Sequence, residues 1–415
     1  MAEKEAQAKA EKMPSEYQAF FTVAAKGDWL AVSNAFMELR KGAKLHEPSG
    51  QGDERWRGPA WHTVVDTFGA LEVFHESDEQ YAMLFGTNII ASIPAGGIYF
   101  GGTDAGRFII TALQQSQVRA EPFFTISQGA LPDDKYLEHL RGMYGAKIYI
   151  PTGEDSKRTF QDYAQDFAQR RSKNQLKPGE DITVGADGKI QFNGQMAVIQ
   201  VKALLAKIIL DKNPGREFYL EESFPFDWMY PYLEPHGLIF KLNRQPLPGL
   251  SDEIVKQDHD YWRLFVQPMI GDWLTDDTSV EQIAAFVKKT FGEKDFSGFT
   301  GDPRFIRNAY SHSMFSKLRC SHAGLYAWRM QHAASVTEKE RMAREADFAF
   351  RQAWALCPDS TETVLRYVAL LMEQKRIADA LLVAETAAQT SQGQDSRQTF
   401  DAVVKEIQKA RLGYN

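Results

Sequence analysis

The sequence predicts an α/β fold flanked by helices at its N-terminal side and followed by an all-helical C-terminal region. Three observations carry that reading. Short, β-rich apolar runs alternate with amphipathic stretches between Ile98 and Leu242, the pattern of parallel β-α-β units. A glycine-rich turn, Gly101-Gly102, joins the first of these runs to a helix. Beyond Ser251 the strand signals stop, and Ala346 and Ala353 are matched 34 residues later by Ala380 and Ala387.

The elements follow in chain order. From Pro14 to Ala43 two helical patterns flank Gly27-Asp28, with Phe20, Phe21, Val23 and Ala24 on one side and Val32, Ala35, Phe36 and Leu39 on the other. A polar loop, Glu47 to Gly58, precedes helices at Ala60–His75 and from Asp78 to about Phe85. Ile98–Phe100 reads as a buried strand, the first and central one, running through the glycine turn into a helix from Gly106 to Gln115. Pro122–Ser127 (strand), Asp133–Tyr144 (helix), Lys147–Ile150 (strand) and Asp155–Ser172 (helix) continue the alternation. Asp187-Gly188 between alternating runs signals a β-hairpin arm over 182–192. Helix Met196–Lys212, strand Glu217–Glu221, a short helix or turn at Trp228–Leu233 and a last strand at Gly237–Leu242 complete a Rossmann-like, mainly parallel sheet of about five strands. In the helical end, Pro358 closes one unit and Val364, Tyr367, Val368 and Leu371 open the next, which makes the array tetratricopeptide-like. The pattern divides the chain at 1–90, 91–250 and 251–415.

Composition narrows the function. A net charge of −7 argues against a nucleic-acid backbone as the main partner. The densest basic run, Arg170-Arg171-Ser172-Lys173, closes a predicted helix, where it complements the C-terminal dipole. The most apolar window, Met83–Gly102, is interrupted by Asn88, Pro94 and several glycines and reads as domain core, so no membrane span is expected. Met1–Lys12 has no apolar centre and is not a secretory signal, which points to the cytoplasm. Cys320 and Cys357 give no disulfide framework and read as buried helix thiols.

Parallel strands end at one edge, so the residues after each strand should converge. These are Gly101, Gly102, Thr103, Asp104 and Arg107 after the first strand, Gln128 after the second, Thr152 and Gly153 after the third, and Glu221, Glu222 and Ser223 after the fourth. Carboxylates gathered there would bind a cation or sugar hydroxyls, and Arg107 would clamp an anion. The same residues would equally make a helix cap and a structural ion pair. The turn lacks the dinucleotide fingerprint and the phosphate-loop Lys-Ser/Thr ending, so the sequence names no cofactor. Ser127-Gln128-Gly129 is not a nucleophile elbow. His312, Cys320 and His322 lack the spacing of a metal half-site. The aromatic run Phe224–Tyr232 reads as a packed crossover or as a stacking wall for a sugar ring or peptide.

Three stretches resemble a soluble region of bacterial membrane proteins of the protein O-mannosyltransferase-like family. They are Ile98-Tyr99-Phe100-Gly101-Gly102-Thr103-Asp104 with Arg119-Ala120-Glu121-Pro122, the segment Phe218–Leu242, and Phe350–Pro358. Similarity spans Gly27 to Gln389 and is a likeness of fold, not of catalytic motif. In that family glycosyl transfer belongs to the membrane part, which has no counterpart here. The resemblance implies a non-catalytic binding or scaffold module, with a protein partner on the helical repeats and an association with cell-envelope glycosylation or a membrane-associated complex. It also implies a periplasmic or membrane-peripheral location, against the cytoplasmic reading of the N-terminus. The alternative is a soluble enzyme acting on a glycan or phosphorylated metabolite at the strand-end crevice, whose ligand would be a glycan or small anion.

Overall fold

A computed structural model describes residues 13–42, 60–102, 105–117, 123–176, 182–184, 190–192, 195–221 and 225–413. The protein is a mixed α/β chain dominated by helix, and it divides into two compact units. One comprises Met1–His75 with Ile93–Leu220, the other Glu76–Ser92 with Glu221–Asn415.

The chain opens with α1 (Ser15–Ala24), α2 (Trp29–Gly42) and α3 (Ala60–Glu76). Apolar residues at helical spacing bring Tyr17, Phe20, Val32, Phe36, Trp61 and Val64 into one buried cluster. Helix α4 (Glu79–Ser92), part of the second unit, runs past its predicted end near Phe85. Asn88 stays within it because its side-chain amide donates to the Leu84 carbonyl at 2.8 Å.

The first unit continues with β1 (Ile98–Gly101), α5 (Ala105–Gln117), β2 (Phe124–Ser127) and α6 (Asp134–Tyr144). The strand predicted at Lys147–Ile150 does not form. Instead the Asn213 side chain serves Tyr149, accepting from its N–H at 2.8 Å and donating to its carbonyl at 3.0 Å. A side-chain amide thus stands where a neighbouring strand would, while Ile148 and Ile150 are buried. The apolar alternation was that of an extended segment buried without a ladder.

Helix α7 (Gly153–Ser172) starts on a capping box in which Thr152 and Asp155 exchange side-chain and backbone bonds. The hairpin arm forms as predicted, with β3 (Ile182–Val184) antiparallel to β4 (Ile190–Phe192); its Asp-Gly turn lies outside the described residues. After α8 (Gln195–Lys212) comes β5 (Phe218–Leu220). Ile98–Phe100 is an interior strand, paired on both sides. β1 pairs in parallel with β2, Ile98 opposite Phe124, and with β5, Ile98 opposite Phe218. Every residue of these three strands is buried, as a parallel set covered on both faces requires.

In the second unit β6 (Leu233–His236) and β7 (Ile239–Leu242) form an antiparallel hairpin. Its turn passes through Gly237 at φ 61°, a left-handed conformation that glycine adopts without strain. Strand β6 was not predicted, because Pro235 within the run reads as a break; it sits opposite Phe240. Strand direction is therefore mixed, parallel for β1–β2 and β1–β5 and antiparallel for β6–β7.

The helical region holds α9 (Asp252–Phe265), α10 (Gln267–Ile270), α11 (Val280–Val287), α12 (Pro303–Arg307) and α13 (Ala309–Gln331). It ends with α14 (Val336–Leu356), α15 (Thr361–Glu373), α16 (Ile377–Thr390) and α17 (Gln394–Gly413). Ser251, Ser279, Asn308, Ser335 and Ser360 each cap a following helix through the side-chain oxygen. From α13 onward each helix packs on the next. Ala346, Ala353, Ala380, Ala384 and Ala387 are fully buried in these contacts, where small side chains permit close approach.

Candidate functional site

The parallel register sets Gly101 opposite Ser127, so Gly102 and Gln128 follow adjacent strand ends. Both are buried, Gln128 in a 3-10 turn. A Cβ on Gly101 would lie 3.0 Å from the Gly106 carbonyl, so glycine is what lets the first turn of α5 approach β1 this closely. The Tyr99 hydroxyl donates to that carbonyl at 2.9 Å. Thr103 and Asp104 lie outside the described residues. Arg107, also in the first turn of α5, is engaged by Asp66 of α3: its Nε and Nη2 lie 2.8 and 2.7 Å from the same Oδ1. Burial works against the guanidinium charge, yet the Asp66 carboxylate, helped by Tyr136, outweighs it and raises the Arg107 pKa.

Around this pair lies a polar cluster that the sequence reading missed. His62 is buried, with Nε2 3.6 Å from an Asp133 oxygen and its ring 5.1 Å from Tyr136 and 5.5 Å from His139. The Tyr136 hydroxyl accepts from the Ser127 N–H at 2.7 Å, which ties the cluster to the end of β2. Burial, with His139 and Arg107 adding to it, lowers the His62 pKa to about 3, so the imidazole is neutral at physiological pH. Burial likewise pushes Tyr136 up to about 12. The available signal was spacing: His62 and Asp66 share one face of α3, and Tyr136 and His139 share one face of α6. Polar residues at core-facing positions are the pattern to look for. Chemically the cluster offers a neutral imidazole, a phenol that stays protonated and a guanidinium already neutralised by a carboxylate.

Glu221 follows β5 in the chain and belongs to the second unit. It is buried, and Lys317 Nζ lies 3.6 Å from its Oε1. Glu222 and Ser223 lie outside the described residues. Thr152 and Gly153 are spent on the start of α7. In the aromatic run, Phe226 and Met229 are buried while Trp228, Tyr230 and Tyr232 are half-buried. Tyr230 stacks on Trp328 of α13 at 5.6 Å, and Trp328 stacks in turn on exposed His332 at 4.0 Å. Arg329 clamps the segment to α13 by donating to the carbonyls of Pro231 and Leu247, both at 2.9 Å.

A second polar network fills the centre of the helical unit. The Asp258 carboxylate of α9 accepts from Arg319 at 2.8 Å and Tyr326 at 2.7 Å, with His322 Nδ1 at 2.8 Å. Arg319 also donates to Gln352 at 2.7 Å. Burial opposes the Asp258 charge, but His322 and Arg319 overcome it and hold its pKa well below the usual carboxylate range. His312, Cys320 and His322, near one another in the sequence, take separate surroundings: His322 joins Asp258, Cys320 is buried beside Glu362, and His312 faces Cys357 and Asp359.

Among the described residues no helix is long and apolar enough to cross a membrane. Compared with family models, with curated proteins and with solved structures, the chain matches none.

Proposed function

We propose that the chain is a non-catalytic binding or scaffold module whose protein partner docks on a tetratricopeptide-like helical array. The observation that carries this reading is the closure of Arg107 by Asp66. A guanidinium that shares two short contacts with a neighbouring carboxylate has no charge to spare for a substrate anion. Glu221, beside Lys317, supports the same conclusion from the other unit. The recognition element is the braced pile of Tyr230, Trp328 and His332. Rings held in place before binding lose little entropy on contact, which is why such side chains serve as interface anchors. By resemblance the partner is a component of cell-envelope glycosylation or of a membrane-associated complex.

The test is quantitative co-purification of the tagged full chain from its native host, beside a Trp328→Ser variant. The expected result is a stoichiometric protein partner that the variant loses, with a melting temperature lowered by no more than about 4 °C. Equal recovery of partners by both proteins would overturn the docking site. Turnover of a glycan or phosphate ester, abolished by Arg107→Gln, would overturn the non-catalytic reading.

A further inference from the structure

Three donors of different chemistry meet where α13 passes the turn between α14 and α15. His312 comes from the first turns of α13, while Cys357 and Asp359 flank Pro358 in the turn itself. One ligand atom from each lies within 4.8 Å of the other two. The Cys357 thiol donates to an Asp359 oxygen, with sulfur and oxygen 3.4 Å apart. A zinc ion with a sulfur ligand at about 2.3 Å and an oxygen ligand at about 2.0 Å, in tetrahedral geometry, holds those two atoms roughly 3.5 Å apart.

His312 supplies the independent observation. The residue is 7% exposed, and its Nδ1 has no hydrogen-bond partner among the described residues. Its ring is walled by Phe291 and Phe305, at centroid distances of 5.6 and 6.2 Å, neither of which can satisfy a ring nitrogen. An imidazole with a buried, unpartnered nitrogen thus shares one cluster with a buried thiol and a carboxylate, three donors of the kinds that bind a transition metal. Lys294 lies near enough to act on His312 electrostatically and works against a cation, so the anionic donors must outweigh it.

We propose that His312, Cys357 and Asp359 form a three-donor site for a divalent transition metal of the zinc class, pinning α13 to the turn between α14 and α15. Nitrogen, sulfur and oxygen donors together suit zinc and its relatives, whereas calcium and magnesium require oxygen alone. On binding, the Cys357 thiol gives up its proton to solvent and coordinates as thiolate. Three protein ligands leave a fourth position for water. The site was not legible in the sequence, because Cys357 and Asp359 stand two residues apart while their partner lies 45 residues upstream.

The test uses the purified full chain, stripped with a chelator, desalted and titrated with cobalt(II). The expected result is one equivalent bound, with the visible bands of a four-coordinate ion, a thiolate-to-cobalt charge-transfer band in the near ultraviolet, and displacement of both by zinc. Cys357→Ser should remove the charge-transfer band, and His312→Gln should weaken binding by about tenfold or more. Cys320→Ser should change neither. Absence of the charge-transfer band in the parent chain, or its persistence in Cys357→Ser, would overturn the proposal. If Cys357→Ser does not fold, His312→Gln decides alone: unchanged cobalt affinity overturns the site.

Discussion

Removing the Asp258 carboxylate should cost the helical unit a large share of its stability. Its side chain is 1% exposed and accepts from Arg319 and Tyr326 while facing His322. In Asp258→Ala the Arg319 guanidinium, fully buried, keeps Gln352 as its hydrogen-bond acceptor but loses its counter-charge. Stranding one member of a buried ion pair costs about 3–5 kcal/mol, a large part of the roughly 5–15 kcal/mol that keeps a domain folded. Asp258→Asn keeps the shape and one acceptor oxygen, so its loss should be smaller, about 1–3 kcal/mol. Adding Arg319→Met to Asp258→Ala should recover part of the loss, because the uncompensated charge is then gone. The assay is urea unfolding followed by tryptophan fluorescence, Trp262 being packed 5.2 Å from the Arg319 guanidinium. A loss below about 1 kcal/mol in Asp258→Ala would refute the reasoning, as would simple additivity of the two substitutions.

Two further outcomes follow from burial. Ala353 is fully buried among neighbouring helices, so Ala353→Phe should overpack α14 against them and cost about 1–3 kcal/mol, read as a shift in the urea midpoint. His62 has its folded pKa lowered to about 3, so below an unfolded value near 6.5 the unfolded chain takes up a proton that the folded chain refuses. Stability is thus present at neutral pH and falls as the pH drops, by about 2 kcal/mol at pH 5. The parent chain should lose that much more than His62→Gln between pH 7 and pH 5, and equal losses would show that His62 is not held neutral.

Local signals in the sequence reported the fold well wherever one residue type decides the backbone. Gly101-Gly102 after an apolar run marked β1 and α5, and the Asp187-Gly188 dipeptide marked the β3–β4 arm. The failures share a cause. Lys147–Ile150 alternates like a strand, but its hydrogen bonds go to Asn213, more than sixty residues away, and no local pattern contains that partner. Pro235 reads as a break, yet a hairpin closed by Gly237 accommodates it. The site was harder still. Being placed after a strand made Arg107 a candidate, but whether its charge is available depends on Asp66, which a helix earlier in the chain supplies.

The same dependence decides how the polar interior of this chain should be read. Arg107 with Asp66, Glu221 with Lys317, and Arg319 with Asp258 are each a charge matched inside its own unit. A matched buried pair is weak evidence for activity, because recruiting either partner to a ligand leaves the other uncompensated, at a cost that a small ligand must repay in full. Groups that would gain from a ligand are those with a buried polar atom left without a partner. His312, with an unpartnered Nδ1 and a ring clustered with the Cys357 thiol and the Asp359 carboxylate, is such a group. The charges nearest the strand ends are therefore structural partners first, and the turn after α14 is where bound chemistry has the most to gain.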